Sequence, residues 1–182
     1  MKNENGLTLI ELLAVLALSS MVVIMAVSIY TSMVKVSNKS IIETNLRNET
    51  VLIVHQLDEI MMNTDTIKID GEADDTGLFK SFFAVDKSTE LAKNEKGEDT
   101  FKENENLTSI KINGDHLLTC RADSTTLNCD ASGQKRINSE SYLVTDTVFS
   151  LKSSGLFVKL VVVDKDNGTK YEVNKLYSLK GE

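Results

Sequence analysis

The feature that most constrains this chain is an uncharged apolar run near its start, residues 12–34, which reads LLAVLALSSMVVIMAVSIYTSMV. A helix of that length extends roughly 34 Å, and about 20 mostly apolar residues are enough to cross the hydrocarbon core of a bilayer. The run is longer than the apolar region of a secretory signal peptide, which ends within about 15 residues at a small-residue cleavage site. The sequence therefore predicts a membrane-spanning helix.

One carboxylate, Glu11, lies at the N-terminal border of this run. A charge well inside lipid costs about 2.5 to 3.5 kcal/mol on insertion scales, so an acid there requires a partner. The spacing leaves two interpretations open. Either Glu11 lies at the interface with its carboxylate among the headgroups, or it lies in lipid and pairs with a group of opposite charge.

The residues around Glu11 complete a motif. A short polar leader, residues 1–5, precedes Gly6, and Leu7-Thr8-Leu9-Ile10-Glu11 leads into the apolar run. This arrangement resembles the class III signal of type IV pilins and pseudopilins, and the resemblance covers residues 1–36. It implies that a prepilin peptidase in the membrane cleaves between Gly6 and Leu7 on the cytoplasmic side and methylates the new amino group of Leu7.

The resemblance also implies a partner for Glu11, because the corresponding acid in that family pairs with the N-terminal amine of a neighbouring subunit during assembly. Two charges that are each costly in lipid become tolerable when they pair. The expected partners are prepilin peptidase, other pilin or pseudopilin subunits and an assembly platform protein. The expected location is the cytoplasmic membrane, crossed once with the N-terminus inside and the C-terminal domain outside, and the cell surface or filament after assembly.

Two departures from the family pattern favour a minor pilin or pseudopilin over a bulk subunit. The first mature residue is Leu7, where the family more often has Phe. The chain also has no Pro, whereas many major pilins carry a helix-kinking Pro in the apolar segment. Without Pro, a local break in the helix would have to come from Ser19 and Ser20.

Charge and motifs limit the other function classes. The 27 acidic and 20 basic residues give a net charge of -7, which argues against nucleic-acid binding by charge alone. No Gly-rich phosphate loop, nucleophile elbow or zinc motif is present, so we expect neither enzymatic activity nor a cofactor. The expected function is a filament subunit for DNA uptake, adhesion and motility, or type II secretion. The alternative is a membrane-anchored extracellular binding protein that does not polymerise, with the Gly6 motif coincidental.

The expected fold class is α+β, pilin-like, with a long N-terminal helix packed on an antiparallel β-sheet. We predict a leader at 1–6, a transmembrane and assembly helix at 7–36, its amphipathic continuation at 37–65 and an extracytoplasmic β-rich domain at 66–182. Apolar residues at helical spacing mark one face of the continuation. They are Ile42, Leu46, Ile53, Leu57 and Ile60.

Period-two alternation and turn residues predict the strands of the domain. The predicted strands are 66–70, 78–85, 107–112, 116–120, 141–145, 148–152, 157–164 and 171–179. Asn113-Gly114 is the clearest hairpin signal, because both turn positions of a tight hairpin favour positive φ. Asp115 makes the expected loop slightly longer. The charged segment 86–106 has few apolar residues and is expected to be a mobile surface insertion, with room for a short helix at its start.

The two cysteines, Cys120 and Cys129, flank polar turn residues, and an extracytoplasmic domain is where a disulfide between them would persist. A metal site is the competing interpretation, but structural zinc needs four ligands, and the two thiols have no further ligands nearby in the sequence. Calcium is conceivable at the acidic loop 71–77 and at Asp164 and Asp166. Neither segment matches the twelve-residue calcium loop, so solvated turns are favoured. His55 and His116 have no partner set, and we assign them no chemistry.

Overall fold

The computed structural model describes residues 8–93, 99–122, 127, 129 and 133–180. The chain divides into two compact units, Met1–Ile42 and Glu43–Glu182. Helix α1, Leu9–Met61, is followed by ten described strands in the second unit. The predicted α+β class with a long N-terminal helix is therefore confirmed.

Helix α1 has no break at Ser19 and Ser20. Both hydroxyls donate to carbonyls one turn back, Ser19 to Leu16 at 3.0 Å and Ser20 to Ala17 at 2.8 Å. Each serine therefore satisfies its hydroxyl within the regular helix and does not interrupt it.

The part of α1 in the second unit buries one face against the sheets. Its buried side chains recur every three or four positions. They are Leu46, Glu49, Thr50, Ile53, Leu57 and Met61. Three of the five predicted face positions are buried, while Ile42 and Ile60 are half-buried and Met61 closes the face instead.

The first sheet has the order β1-β3-β4-β5-β6, and all its pairs are antiparallel. Its strands are β1 Thr66–Ile69, β3 Ser81–Lys93, β4 Asp99–Asn113, β5 His116–Ala122 and β6 Lys135–Arg136. The second sheet has the order β10-β9-β8-β2, and β7 also pairs with β9. Its strands are β2 Leu78–Phe79, β7 Tyr142–Leu143, β8 Val148–Lys152, β9 Gly155–Asp164 and β10 Lys170–Tyr177.

The prediction of one strand over 78–85 was wrong, because the chain changes sheets at Lys80. Leu78 pairs with Ser150 in the second sheet, whereas Ser81 pairs with Lys111 in the first. This apolar run therefore supplies both sheets, and the domain has two sheets where one was expected.

The segment 86–106 was also predicted wrongly as a mobile insertion. Its described residues extend β3 and β4 in a continuous register from Asp86↔Asn106 to Lys93↔Asp99. Oppositely charged residues face each other across the two strands, for example Lys87 and Glu105. Such cross-strand pairs stabilise the register. Residues 94–98 lie outside the described residues.

Three aromatic rings join the two sheets in one core. Phe82 of the first sheet lies 5.0 Å, centroid to centroid, from Phe149 of the second, edge to face at 75°. Phe79 of β2 lies 6.1 Å from each of the two rings. Phe82 and Phe149 are completely buried. This contact holds the sheets together where the chain crosses between them.

The predicted hairpin between β4 and β5 is present, with a turn one residue shorter than the expected loop of residues 113–115. Asn113 pairs with His116, so Gly114 and Asp115 form the two-residue turn. Gly114 has φ +58°, and Asp115 is not among the described non-Gly residues with positive φ. Only the first turn position requires glycine, which matches a type II′ hairpin.

Candidate functional site

The N-terminal end of α1 forms a capping box between Thr8 and Glu11. The Thr8 hydroxyl accepts from the Glu11 backbone N–H at 3.4 Å, and the Glu11 carboxylate accepts from the Thr8 backbone N–H at 3.3 Å. The Thr8 hydroxyl also lies 3.2 Å from that carboxylate. Threonine at the N-cap with glutamate three residues later satisfies two of the free N–H groups at a helix start.

The Thr-x-x-Glu signal of this cap is present at residues 8–11 of the sequence, but the cap was not among the predicted features. The cap gives Glu11 a role inside its own subunit, besides any contact with a neighbour. It also holds the carboxylate at the first turn of α1, where the positive end of the helix dipole favours a negative charge. The assembly role of Glu11 stays a prediction.

The apolar side chains that follow are uncovered. Every described residue from Thr8 to Ile41 is exposed, including Leu9 at 80 % and Met33 at 69 %. By length and composition α1 can cross a membrane, and within the described part of the chain it is the one helix that can. So large an apolar surface requires lipid or another protein to cover it.

The hydroxyls in this segment are compatible with lipid. Thr31 and Ser32 both donate to the carbonyl of Ser28, at 3.0 and 2.9 Å. Ser19 and Ser20 likewise donate to backbone carbonyls of the preceding turn. Because each of these four hydroxyls has an acceptor in its own helix, none of the four needs water or a partner in the hydrocarbon region.

The predicted disulfide between Cys120 and Cys129 is confirmed. The two Cα atoms are 6.1 Å apart, a separation typical of disulfides. Cys120 lies on β5, and Cys129 packs on a small apolar cluster on the first sheet. The members of that cluster are Phe83, Val85, Leu107 and Ala122. The bond therefore fixes the chain that follows β5 to this face of the sheet.

The acidic turns considered for calcium use their carboxylates to hold the backbone. Asp74 accepts from the N–H groups of Thr76 and Leu78, at 2.9 and 2.8 Å. The Thr76 hydroxyl and these N–H groups hold the pKa of Asp74 below its usual value. Asp164 accepts likewise from the N–H of Asp166 at 2.9 Å. Among the described residues, no group of three or more His, Cys, Asp or Glu side chains is suited to a metal.

Gly6 and Leu7, the predicted cleavage and methylation positions, lie outside the described residues. Their roles stay predictions. The two histidines are apart in the fold. His55 is exposed on α1, while the Nδ1 atom of His116 is buried without a hydrogen-bond partner among the described residues.

Comparison with known families adds one finding at this end of the chain. Residues 1–27 match the family model described as the prokaryotic N-terminal methylation motif. No curated protein and no solved structure matches the chain significantly.

The motif, together with the α+β fold, supports a type IV pilin-like protein. The motif implies processing by prepilin peptidase, association with other pilins and anchoring in a membrane through the apolar helix.

Proposed function

We propose that this chain is a minor pilin or pseudopilin, a subunit of a type IV pilus-like filament machine. The observation that carries the proposal is the exposed apolar surface of α1, whose first part lies within the methylation motif. A helix that only anchored a domain would need lipid alone. The motif indicates assembly in addition to anchoring, because it marks a substrate of the peptidase that prepares subunits for assembly.

In this proposal the apolar part of α1 is stored in the cytoplasmic membrane and then moves into a bundle of similar helices. The hydroxyls of Ser19, Ser20, Thr31 and Ser32 already bond within the helix, so this transfer breaks none of these hydrogen bonds. The main exchange is lipid contact for side-chain packing between helices. Glu11 sets the register by pairing with the methylated Leu7 amine of a neighbouring subunit.

The proposed topology places the leader in the cytoplasm and the second unit outside. The Cys120–Cys129 disulfide supports an oxidising location for that unit. The partners are then prepilin peptidase and the assembly platform at the membrane, and other subunits in the filament. The filament serves DNA uptake, adhesion and motility, or type II secretion.

We infer no catalytic activity and no cofactor for this chain, which is instead the substrate of the peptidase. Its net charge of -7 disfavours direct contact with nucleic acid through charge. A role in DNA uptake would therefore pass through the filament and its other subunits.

The testing experiment is mass spectrometry of the N-terminal peptide from membranes of the native host. We expect a chain that begins at methylated Leu7. A Glu11→Gln variant should be processed identically, whereas a bulky residue at Gly6 should block cleavage. A terminus at Met1 or Lys2 in the wild type would overturn the proposal in favour of an anchored binding protein.

A further inference from the structure

The outer half of the β3–β4 hairpin extends beyond the core of the second unit. The two strands pair from Ser81↔Lys111 to Lys93↔Asp99. Beyond Val85 and Leu107, no described side chain of either strand is buried. We call residues 86–93 and 99–106 the arm. A two-stranded ribbon without a third strand or a covering helix is only marginally stable in water.

One apolar pair lies far out on the arm. Leu91 and Phe101 face each other across the strands and are 68 % and 76 % exposed. The arm side chains around them are mostly charged or hydroxylated, so the pair, which we call the knob, forms an isolated apolar surface. Large apolar side chains placed this way are typical of contact surfaces.

An acid without a partner lies beside the knob. Glu103 is two residues before Glu105 on the same strand face. Glu105 pairs with Lys68 at 3.0 Å, and Glu90 accepts from Asn104 at 2.9 Å. Glu103 is exposed and makes no ion pair or hydrogen bond through its side chain with any described residue. Its carboxylate is therefore available to a partner.

The second unit also carries an apolar groove between α1 and β10. Its apolar lining, which we call the floor, includes Val51, Val54 and Val173. Its polar lining, which we call the rim, includes Arg47, His55 and Tyr171. Val51 is 60 % exposed. We call this surface the groove.

The charge left over at the rim of the groove is positive. Arg47 is exposed, and its pKa is raised by the neighbouring Tyr171 side chain and by no carboxylate. Asp58, which also lines the groove, already pairs with Lys175. A partner that brings an apolar surface and one carboxylate therefore matches the groove.

We propose that the knob of one copy docks into the groove of a second copy, with Glu103 of the first copy paired to Arg47 of the second. The apolar pair meets the valine floor, and the unpaired acid meets the unpaired base. Knob and groove are different surfaces, so the contact is heterologous. A docked pair still carries one free knob and one free groove, so the contact can repeat wherever further copies of this chain are neighbours.

This inference rests on the proposed function and deepens it, because it names a contact between subunits outside the apolar helices. It also requires two copies of this chain to be neighbours in the filament. An electrostatic pair of this kind selects the register of the neighbour more than it adds affinity.

The first test is cross-linking in filaments sheared from the native host. Full-length chains carrying Arg47→Cys and Glu103→Cys are treated with a short bis-maleimide and separated on a denaturing gel. We expect a ladder of dimers and larger species. The matched control pairs Arg47→Cys with Lys102→Cys, which lies on the opposite face of the same strand and should give no ladder. Equal yields from the two pairs, or no ladder from either, would overturn the contact.

The second test is charge reversal, with the amount of subunit in sheared filaments as readout. Glu103→Arg and Arg47→Glu should each reduce incorporation by about tenfold, since like charges then face each other. The double reversal should restore it, and Lys102→Glu should leave it unchanged. Single reversals without effect, or a double reversal that restores nothing, would overturn the contact while wild-type filaments still support the proposed function. Absence of the wild-type chain from filaments would overturn both.

Discussion

The hydroxyl of Tyr177, the last residue of β10, donates a 2.8 Å hydrogen bond to the carboxylate of Asp58 on α1, 119 positions earlier in the chain. Lys175 donates to the same carboxylate oxygen, and its ammonium group lies 5.0 Å from the centroid of the Tyr177 ring. Three side chains thus join the C-terminal part of the helix to the last strand of the second sheet.

The network shifts two pKa values in opposite directions. Burial opposes ionisation of Asp58, but the hydrogen bonds from Lys175 and Tyr177 and the charge of Lys175 outweigh it, so the pKa of Asp58 falls below its usual value. Burial, reinforced by the hydrogen bond to Asp58 and its charge, raises the pKa of Tyr177 far above its usual value. The stable state is therefore ionised aspartate with neutral tyrosine.

Removing the Tyr177 hydroxyl should weaken the attachment of the helix. We expect Tyr177→Phe to lower the free energy of unfolding of the second unit by about 1 kcal/mol, because it removes one hydrogen bond to a partly exposed charge. Glu172→Gln on the same strand is the control. Its ion pair with Lys159, at 3.2 Å, is solvent-exposed and should contribute less than about 0.5 kcal/mol. Urea unfolding of the full chain in detergent, followed by near-ultraviolet circular dichroism, measures both.

The contribution of Asp58 should depend on acid pH. A carboxyl whose pKa is lower in the folded state stabilises the fold above its unfolded pKa, near 3.9, and loses that contribution as pH falls through the folded value. The difference in unfolding free energy between wild type and Asp58→Asn should therefore be constant from about pH 5 upward and shrink below about pH 4. Urea unfolding at a series of pH values tests this. A difference that stayed constant down to pH 2 would contradict a depressed pKa.

Gly155, at the start of β9, should tolerate no side chain. Its φ is +128°, and a Cβ atom there would lie 1.9 Å from the carbonyl oxygen of Tyr177. Gly168 is the matched control, because its φ of +69° is also left-handed but no atom lies within 4 Å of its Cβ position. Gly168→Ala should cost about 1 to 2 kcal/mol from backbone strain alone. Gly155→Ala should cost clearly more, because the strands must also separate. Equal midpoints in urea for the two variants would contradict the clash.

The sequence was most informative where a structure is decided by neighbouring residues. Uninterrupted apolar composition without proline predicted α1, and its bounds were nearly correct. The β3–β4 arm could not be predicted in this way. The charged strand around Glu90 gains its stability from residues on the opposite strand, here Lys102. Its own sequence lacks the apolar-polar alternation that marks a half-buried strand. The change of sheet at Lys80 is hidden for the same reason, since only the distant partners Ser150 and Lys111 reveal it.

The candidate site was predictable in its motif but not in its geometry. Gly6, Leu7 and Glu11 were identified by resemblance. The disulfide was predicted from the polar turn residues between the two cysteines and from the expected extracytoplasmic location of the domain. The capping box was not predicted, although its two residues, Thr8 and Glu11, are only three positions apart in the sequence. The groove combines residues of α1 and β10 that are distant in sequence, so no local pattern signals it.

The two roles of Glu11 can be separated by a pair of substitutions. Glu11→Gln keeps a side chain that can cap at the third helical position but removes the charge that would pair with the Leu7 amine. Thr8→Ala keeps the charge and removes the N-cap hydroxyl, at a cost of about 1 kcal/mol to the helix end. If charge pairing drives assembly, Glu11→Gln should stay membrane-inserted yet be strongly depleted from sheared filaments, and Thr8→Ala should be incorporated nearly normally. Quantitative immunoblots of membrane and filament fractions measure this ratio.

Equal depletion of the two variants would mean that Glu11 acts through the helix cap. Normal incorporation of Glu11→Gln would remove the charge pair from the assembly mechanism, since a neutral amide cannot replace a carboxylate opposite an ammonium group in lipid.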